Sequence, residues 1–435
     1  MQFEKLRLSI PIMNHPMIKE KSAFKIKYVN IIEYFARKYS KDEFSKAIIR
    51  FYQELFGIGE VYSYDEKAII KYVKTATATK IKGFKFFTYR YILIADCLLV
   101  SGYYNEKNIA KMVDEIKQIF NKRYHKKINS MIDAFVGKSE VKIDMVDKYI
   151  TYWNINKNFE SQNEIKILVT ANMSAGKSTL LNALIGKKVN RTKNEACTAK
   201  VHYILNKPIE DGLSYEWDGG YNLNANNEDL MNDAKDNMSK EIGVGTYFFS
   251  DVLSKRRIVF IDTPGVNSSL DEEHAIITRN VIDAGDYDCI LYVLNAENIG
   301  TEDDVKHLKY VFESCKDKRI IFVVNKLDRY RSVDDSIAAA IDNVIQDLKK
   351  IGFEAPLVYP ISAYAAMLTK KELAGDVLTE EEQDEYRLLN KKFNKEEYDM
   401  RQYYEFCDES ISIENKNQML AKCGLTGLEY TLINM

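Results

Sequence analysis

Between residues 165 and 362 the sequence alternates short apolar runs with segments of helical character. Six runs have this character: IKILVTA (165–171), AKVHYILN (199–206), RIVFID (257–262), CILYVLN (289–295), RIIFVVN (319–325) and PLVYPIS (356–362). Most are apolar throughout, which is typical of strands that are covered on both faces. The pattern therefore predicts an α/β domain with a mostly parallel sheet and helices on both faces. Ligands of such sheets bind at the carboxyl ends of the strands.

The first part of the chain has a different pattern. No proline lies between Pro16 and Pro208, and glycine is sparse before residue 137. Because proline and glycine interrupt helices, their scarcity here predicts uninterrupted helices. In the segment NEKNIAKMVDEIKQIF the apolar residues recur at helical spacing: Ile109, Met112, Val113, Ile116, Ile119 and Phe120. We therefore predict an all-α domain over residues 1–158 and the α/β domain over residues 159–435.

A highly charged segment interrupts the α/β pattern after its last apolar run. It covers residues 364–422 and includes TEEEQDEYRLLNKKF. Leu388, Leu389 and Phe393 recur there at helical spacing, which favours a helical insertion over a solvated loop. We predict that this insertion belongs to the α/β domain.

The charge of the chain is unevenly distributed. The net charge of the 435 residues is −2, but residues 1–150 hold 28 Lys and Arg against 17 Asp and Glu, a net of about +11. The remaining residues hold 34 basic and 47 acidic side chains, a net of about −13. This asymmetry indicates two units with different surfaces. Two explanations stay open: the two surfaces attract one another, or the basic half faces an external acidic partner.

The cysteines and the start of the chain bear on the cellular compartment. The six cysteines form no CxxC pair, which argues against a disulfide framework and against a zinc site. The first residues contain no apolar stretch of the length that a signal peptide needs, and no run approaches the roughly 20 residues of a membrane span. We predict a cytoplasmic protein that is free to touch a membrane from its surface.

The stretch ANMSAGKSTLLNAL (171–184) follows the first apolar run and opens into an apolar-periodic helix. This is the context of a phosphate-binding loop, although Ala171 stands where the usual pattern has Gly. Backbone amides of residues 174 to 179 would converge on the α- and β-phosphates, Lys177 would reach the β- and γ-phosphates, and the Ser178 hydroxyl would ligate Mg²⁺. The residues predicted to bind nucleotide here are Asn172, Met173, Ser174, Ala175, Gly176, Lys177, Ser178 and Thr179.

A second motif, DTPG (262–265), ends the run RIVFID. Asp262 would hold a Mg²⁺-bound water, and the amide of Gly265 would meet the γ-phosphate. A threonine between the phosphate loop and DTPG should complete the Mg²⁺ shell. We choose Thr198 in EACTAKV, just ahead of an apolar run, with Thr192 as the alternative.

Two further motifs select the base. NKLD (325–328) ends the run RIIFVVN, and the two oxygens of the Asp328 carboxylate match the paired N–H donors on one edge of guanine. Adenine lacks this pair, so the predicted nucleotide is GTP. Asn325 would contact the base and brace the loop, while the stem of Lys326 would cover the ring. In the run PLVYPIS, Ser362 and the Ala363 amide that follows it complete the predicted site.

Together MSAGKSTLLNAL, EACTAKV, DTPGV, NKLD and PISAY resemble the dynamin-like large GTPases, especially those of bacteria. The insertion after ISAY and the closing CGLTGLEYTL also resemble bacterial members, so the resemblance covers roughly residues 160–435. It implies an enzyme that hydrolyses GTP to GDP and phosphate with Mg²⁺, with Lys177, Ser174 and Thr198 in catalytic roles. Ser174 matches the position that binds a monovalent cation, K⁺ or Na⁺, in the family.

The resemblance also implies partners. The family pairs across its nucleotide faces, so we expect a nucleotide-dependent homodimer or a related dynamin-like partner. The helical stalk that normally follows the GTPase domain is absent from this sequence or truncated, so membrane remodelling is not carried over. Peripheral membrane contact is expected of a longer native protein. No nucleic acid is expected as a partner.

Two positions depart from the pattern. Met173 stands where eukaryotic dynamins have a Gln that positions the attacking water. Val266 follows DTPG at the position where Ras-type GTPases have such a Gln. We therefore expect slow hydrolysis that dimerisation raises. A GTP-binding switch or scaffold that does not hydrolyse is the alternative. An assembly GTPase that binds ribosomal RNA through the basic helical domain ranks last, because RNA-binding motifs are absent.

Overall fold

The structure is a computed structural model of the chain. It describes residues 3–40, 42–59, 66–102, 106–140, 142–143, 145–172, 174–189, 200–231, 239–265, 272–297, 301–330, 336–405 and 418–434. Within these ranges no helix is long and apolar enough to cross a membrane.

The chain divides into two compact units. The first contains Met1–Ser161 together with Pro208–Ala225, and the second contains Gln162–Lys207 together with Asn226–Met435. The predicted α/β domain includes residues 208–225, whereas in the structure they pack with the first unit. The domain boundary at residues 158 and 159 stays a prediction.

Seven α-helices dominate the described part of the first unit. They are α1 (Ser22–Tyr39), α2 (Glu43–Phe56), α3 (Glu66–Ala78), α4 (Arg90–Gly102), α5 (Glu106–Ile119), α6 (His125–Phe135) and α7 (Asp147–Glu160). Short 3₁₀ turns at Glu4–Arg7, Pro16–Lys19 and Lys122–Tyr124 complete the helical part. The predicted all-α character of this region is confirmed.

A buried carboxylate ties four segments of the first unit together. Asp96 on α4 is fully buried, and its Oδ1 accepts hydrogen bonds from the hydroxyls of Tyr52 (2.7 Å) and Tyr149 (2.9 Å). Its Oδ2 accepts one from the Tyr28 hydroxyl (2.6 Å) and lies 2.9 Å from His15 Nε2. A buried carboxylate is tolerated only where its lone pairs are satisfied, because desolvation is otherwise costly. The network therefore fixes how these segments pack.

The segment 208–225 joins the first unit through polar contacts near the start of the chain. The Ser9 hydroxyl donates to the carbonyl of Ile209 (2.9 Å), and the amide of Ile10 donates to Asp211 Oδ2 (2.8 Å). The amide of Ser9 donates to Asn156 Oδ1 (3.0 Å), which connects these residues to α7. Two short antiparallel strands follow within the segment.

The described residues contain nine strands: β1 (Ile165–Ala171), β2 (Val201–Lys207), β3 (Tyr215–Trp217), β4 (Tyr221–Asn222), β5 (Glu241–Tyr247), β6 (Ile258–Asp262), β7 (Cys289–Asn295), β8 (Arg319–Asn325) and β9 (Leu357–Pro360). The short pair β3 and β4 belongs to the first unit, and the other seven to the second. The six strands predicted from apolar runs are confirmed, and β5 is one that the sequence analysis did not predict.

The seven strands of the second unit form a sheet in the order β5-β2-β6-β1-β7-β8-β9. Neighbouring strands are parallel except that β2 runs antiparallel to β6. Every residue of β7 is buried, which requires cover on both faces of the sheet. The predicted mostly parallel α/β architecture is confirmed.

The helices of the second unit are α8 (Lys177–Ile185), α9 (Asn227–Met231), α10 (Glu272–Ala284), α11 (Glu302–Ser314), α12 (Ile337–Ile351), α13 (Ala363–Ala374), α14 (Glu380–Phe393), α15 (Gln418–Lys422) and α16 (Leu425–Ile433). The described part of the predicted insertion is helical. It consists of α13, α14, two 3₁₀ turns between residues 396 and 403, and α15.

Candidate functional site

The carboxyl end of β1 leads through a short loop into α8. The loop turns through two residues with positive φ, Ser174 (+58°) and Gly176 (+87°), and α8 begins at Lys177. An amide–carbonyl bond from Ala175 to Asn172 (3.3 Å) closes the turn. This is the strand–loop–helix arrangement that the sequence predicts. Met173 lies outside the described residues.

The position that departs from the usual glycine lies in the strand itself. Ala171 is the last residue of β1, is fully buried and pairs in register with Val293 of β7. A strand conformation needs no glycine, and a methyl side chain fits the buried position. The substitution therefore leaves the turn that follows it intact.

Gly176 is required where it stands, and Asn325 is the reason. A Cβ at Gly176 would collide with the side-chain amide of Asn325, and its φ of +87° already disfavours other residues. The Asn325 amide nitrogen donates to the carbonyl of Ala175 (2.9 Å), while its oxygen accepts from the amide of Ala363 (3.0 Å). Asn325 thereby joins the phosphate loop, the end of β8 and the start of α13.

Lys177 and Asp262 form an ion pair at the carboxyl ends of β1 and β6. The Nζ of Lys177 contacts Oδ1 of Asp262, and the two side chains are 11% and 10% exposed. The start of DTPG is fixed because the Thr263 hydroxyl donates to the carbonyl of Val169 (3.1 Å). The predicted phosphate-binding lysine and the predicted magnesium-associated carboxylate therefore meet at one sheet edge.

The predicted base-reading residues meet at the end of β8. The Ser362 hydroxyl donates to Asp328 Oδ1 (2.8 Å) and accepts from the amide of Ala365 (3.2 Å), so it caps α13 and orients the carboxylate together. Lys326 has a φ of +69°, and burial, followed by the nearby Arg329 guanidinium, lowers its pKa. Lys326 is half-buried, which leaves its stem in a place to cover a ligand, as the sequence predicts.

A pocket of about 490 Å³ lies beside these loops, within the range of small-molecule sites. Five of its lining residues come from the predicted motifs: Gly176, Thr179, Asn325, Lys326 and Asp328. The pocket therefore borders both the phosphate loop and the base-reading loop. Lys177 and Asp262 lie outside its lining, so the pocket corresponds to the base end of the predicted site.

The helical insertion supplies the opposite wall, which the sequence analysis missed. Its lining residues are Tyr364, Glu385, Leu388, Leu389 and Lys392, with Tyr364 on α13 and the others on α14. The Tyr364 hydroxyl donates to Glu385 Oε2, and burial together with this bond raises the pKa of Tyr364.

Lys392 holds the base-reading loop from the insertion side. Its Nζ donates to the carbonyl of Asp328 (2.7 Å) and to the carbonyl of Tyr330. The same ammonium lies 4.5 Å from the centre of the Tyr398 ring, which favours a cation there. The only sequence signal for this role is a basic residue in the last turn of a predicted helix, which is too common to single it out.

The remaining predicted residues divide into two groups. Ser178 lies in the first turn of α8 and Gly265 follows β6, so both are close in sequence to the ion-paired residues. Thr198, its alternative Thr192, and Val266 lie outside the described residues. Their predicted roles stay predictions.

Residues 167–327 match the sequence model of the Dynamin family. The chain is 28% identical over 173 residues to Dynamin-like protein A of Bacillus subtilis, which is 38% of this chain and 14% of that protein. It is 26% identical over 214 residues to a probable transmembrane GTPase, FZO-like, of Arabidopsis thaliana chloroplasts, covering 48% of this chain and 20% of that protein. The matched part of the chain thus spans a fifth or less of these relatives.

The chain is also similar in sequence to other GTPases. GTPase Der of Geobacter metallireducens is 30% identical over 110 residues, which is 24% of each chain. Among solved structures, one from an oligomerised bacterial dynamin pair, described as sensing and tethering membranes, superposes with a TM-score of 0.39 at 16% identity. That match covers 89% of this chain and 59% of the other. The family match over residues 167–327 and the sequence relatives support a bacterial dynamin-like GTPase domain in the second unit.

Proposed function

We propose that the chain binds GTP and hydrolyses it to GDP and phosphate in the presence of Mg²⁺. The observation that carries this proposal is a pocket lined by residues of both the phosphate loop and the base-reading loop, with Asn325 hydrogen-bonded to Ala175 and Ala363. This pocket would hold the base, and the phosphate loop that borders it would hold the phosphates.

Base selection rests on Asp328. Ser362 holds one carboxylate oxygen, and an ionised carboxylate retains further acceptor sites for the two N–H donors of guanine. Adenine presents a different pattern on that edge, so it would leave the carboxylate unpaired. A buried polar group without a partner costs about 1–3 kcal/mol, which favours guanine over adenine.

Phosphate binding rests on Lys177 and the loop amides. Nucleotide binding would exchange the ion pair between Lys177 and Asp262, so that the ammonium contacts the β- and γ-phosphates. The hydroxyl of Ser178 and the carboxylate of Asp262 are proposed as oxygen ligands, which suit Mg²⁺. Thr198, outside the described residues, is proposed as a third. Bound there, Mg²⁺ would neutralise charge on the phosphate oxygens.

The group that positions the attacking water is not among the residues assigned above. A methionine at 173 and a valine at 266 offer no hydrogen bond to a water. We therefore propose slow turnover in the monomer and faster turnover in a homodimer or with a related dynamin-like partner. Ser174 is proposed to hold a monovalent cation, K⁺ or Na⁺.

Phosphate release under multiple turnover tests the proposal. We expect release with GTP and not with ATP, and a specific activity that rises over a hundredfold range of protein concentration. Activity that stays flat over this range would contradict the proposed pairing alone. Tight GTP binding without release at any concentration would support the alternative, a GTP-dependent switch or scaffold, which the residues at 173 and 266 favour. Failure to prefer GTP over ATP in a competition titration would contradict the nucleotide assignment itself.

We also propose a cytoplasmic location, with peripheral membrane contact in a longer protein.

A further inference from the structure

The loop between α3 and α4, residues 79–89, exposes aromatic side chains to solvent. Phe86 is 84% exposed and Phe84 is 46% exposed, and their neighbours Lys80, Lys82 and Lys85 are exposed as well. Single exposed apolar residues are common on protein surfaces, but two phenylalanines within three residues, flanked by lysines, form a local patch. We call residues 79–89 the basic aromatic loop.

The exposure of the phenylalanines comes from an ordered backbone. The amide of Ile81 donates to the carbonyl of Phe87 (2.9 Å), and the amide of Tyr89 donates to the carbonyl of Thr79 (3.3 Å). Ile81 and Tyr89 are buried and anchor the base of the loop in the first unit. Between these anchors the amide of Phe84 donates to the carbonyl of Ile81 (3.0 Å), which closes a turn at the tip. The loop thus holds its tip outward at little further entropic cost on binding.

A neighbouring segment extends the patch. Lys82 Nζ donates to the carbonyl of Lys19 (2.9 Å), which places the 3₁₀ turn Pro16–Lys19 beside the loop. That turn contributes Ile18, another exposed apolar side chain, and the exposed Lys19. The patch therefore consists of apolar groups surrounded by ammonium groups.

Basic side chains predominate around the patch, with one carboxylate, that of Glu20, which accepts a hydrogen bond from the Tyr89 hydroxyl (3.2 Å) at the base of the loop. Residues 67–95 contain seven basic side chains and no acidic one. The first 150 residues carry a net charge of about +11. A surface of this kind is complementary to an extended anionic surface.

We propose that the basic aromatic loop binds the surface of a bilayer that contains anionic phospholipid. Phe84 and Phe86 enter the boundary between headgroups and acyl chains, and the lysines contact lipid phosphates and carboxylates. Lysine suits this role because its long stem lets the ammonium stay with the headgroups while the apolar part lies deeper. The proposal does not depend on the nucleotide site.

Lipid fits the patch better than nucleic acid does. A nucleic acid would attract the lysines, but it offers no apolar phase for side chains at the tip of a turn. Modules that bind single-stranded RNA stack bases on aromatic residues, often on an open sheet. The loop has no sheet platform on which bases could stack.

Flotation of the full-length chain with vesicles tests the proposal. We expect binding to phosphatidylcholine vesicles with about 30 mol% phosphatidylserine and little binding to pure phosphatidylcholine, and the binding should weaken as salt rises. A Phe84→Ser/Phe86→Ser variant should lose at least tenfold in partition coefficient. Val377→Ser, at a residue that is 94% exposed in the second unit, is the matched control and should bind like the wild type.

The charge contribution has its own pair of variants. Lys80→Gln/Lys85→Gln should weaken binding about tenfold, whereas Lys350→Gln/Lys395→Gln changes the net charge equally in the second unit and should change binding less than twofold. Equal losses in both variants would mean that net charge alone attracts the chain, and would overturn the proposal.

Insertion is measured directly with Phe86→Trp. The emission of the introduced indole should shift to the blue on anionic vesicles and be quenched by brominated acyl chains. Vesicle binding without shift or quenching would overturn the proposed contact. So would failure to bind anionic vesicles, or binding of a single-stranded RNA through the same phenylalanines in preference to lipid.

Discussion

The base end and the phosphate end of the proposed nucleotide site are held in different ways. At the base end, Asn325 and Asp328 are hydrogen-bonded to other loops of the second unit. Lys392 Nζ donates a hydrogen bond to the backbone carbonyl of Asp328 in the base-reading loop. At the phosphate end, Lys177 and Asp262 neutralise each other. The residues proposed to read the base are therefore held in place by hydrogen bonds within the protein. Phosphate binding must exchange a protein ion pair for ligand contacts, so it depends more on each single charge.

The largest effect is expected when the phosphate end is broken. Lys177→Ala removes the ammonium proposed to contact the β- and γ-phosphates and breaks its ion pair with Asp262. We expect phosphate release to fall at least about a thousandfold, in line with the loss of a preorganised charge in phosphoryl transfer. The rate is measured under saturating GTP, with Lys350→Ala on α12 as the control.

The comparison of the two ends adds a second readout to this variant. The ratio of GDP affinity to XDP affinity should stay at the wild-type value in Lys177→Ala, because the base end is untouched. A changed ratio would show that base binding and phosphate binding are coupled, and would contradict the independence of the two ends.

The parts of the site that sequence predicts are those whose residues are close along the chain. The run 165–171 predicts β1 with the same bounds, and the motif that follows it forms the loop into α8. Apolar runs are local signals, and each motif begins where a strand ends. Since carboxyl ends of parallel strands share one sheet edge, placing Lys177 near Asp262 needed no further information.

Other features depend on contacts between distant segments. Strand β5, EIGVGTY, has glycine at alternate positions, so it shows no continuous apolar run and takes its order from pairing with β2. Residues 208–225 join the first unit through bonds to Ser9 and Ile10, about 200 positions away in sequence. Lys392 contacts the base-reading loop across 64 positions. No local pattern carries these contacts.

A smaller effect is expected when the base end is inverted. Asp328→Asn replaces one acceptor by a donor, so the side chain would match xanthine better than guanine. We expect GTP affinity to fall about a hundredfold and XTP affinity to rise, since mismatched polar groups cost about 1–3 kcal/mol each. Turnover with saturating XTP should lie within about threefold of wild-type turnover with GTP, because the phosphate end is unchanged. Asp347→Asn, at an exposed carboxylate, is the control.

Equal loss of affinity for GTP and XTP in Asp328→Asn would mean that the carboxylate holds the loop and does not read the base. Ser362 remains bonded in either case, because an Asn oxygen still accepts from its hydroxyl.

The smallest effect is expected from Lys392→Met, which removes a support of the base-reading loop at the wall of the pocket. The substitution keeps most of the side-chain volume and removes the ammonium that holds the carbonyls of Asp328 and Tyr330. A hydrogen bond to a charged group contributes about 1.5–3 kcal/mol. Part of this free energy is recovered in the variant, because water can replace the ammonium at the two carbonyls. We therefore expect KM for GTP to rise about tenfold while kcat stays constant, as measured by steady-state phosphate release.

The neighbouring residue provides the matched control for this prediction. Lys391 is exposed on the same last turn of α14, so Lys391→Met should leave KM unchanged. Lys392→Arg should restore part of the lost affinity, because a guanidinium also donates to carbonyls. A role limited to folding would lower the melting temperature of Lys392→Met and leave KM at the wild-type value. That outcome would show that the base end is held by Ser362 and Asn325 alone, and that the insertion only covers the pocket.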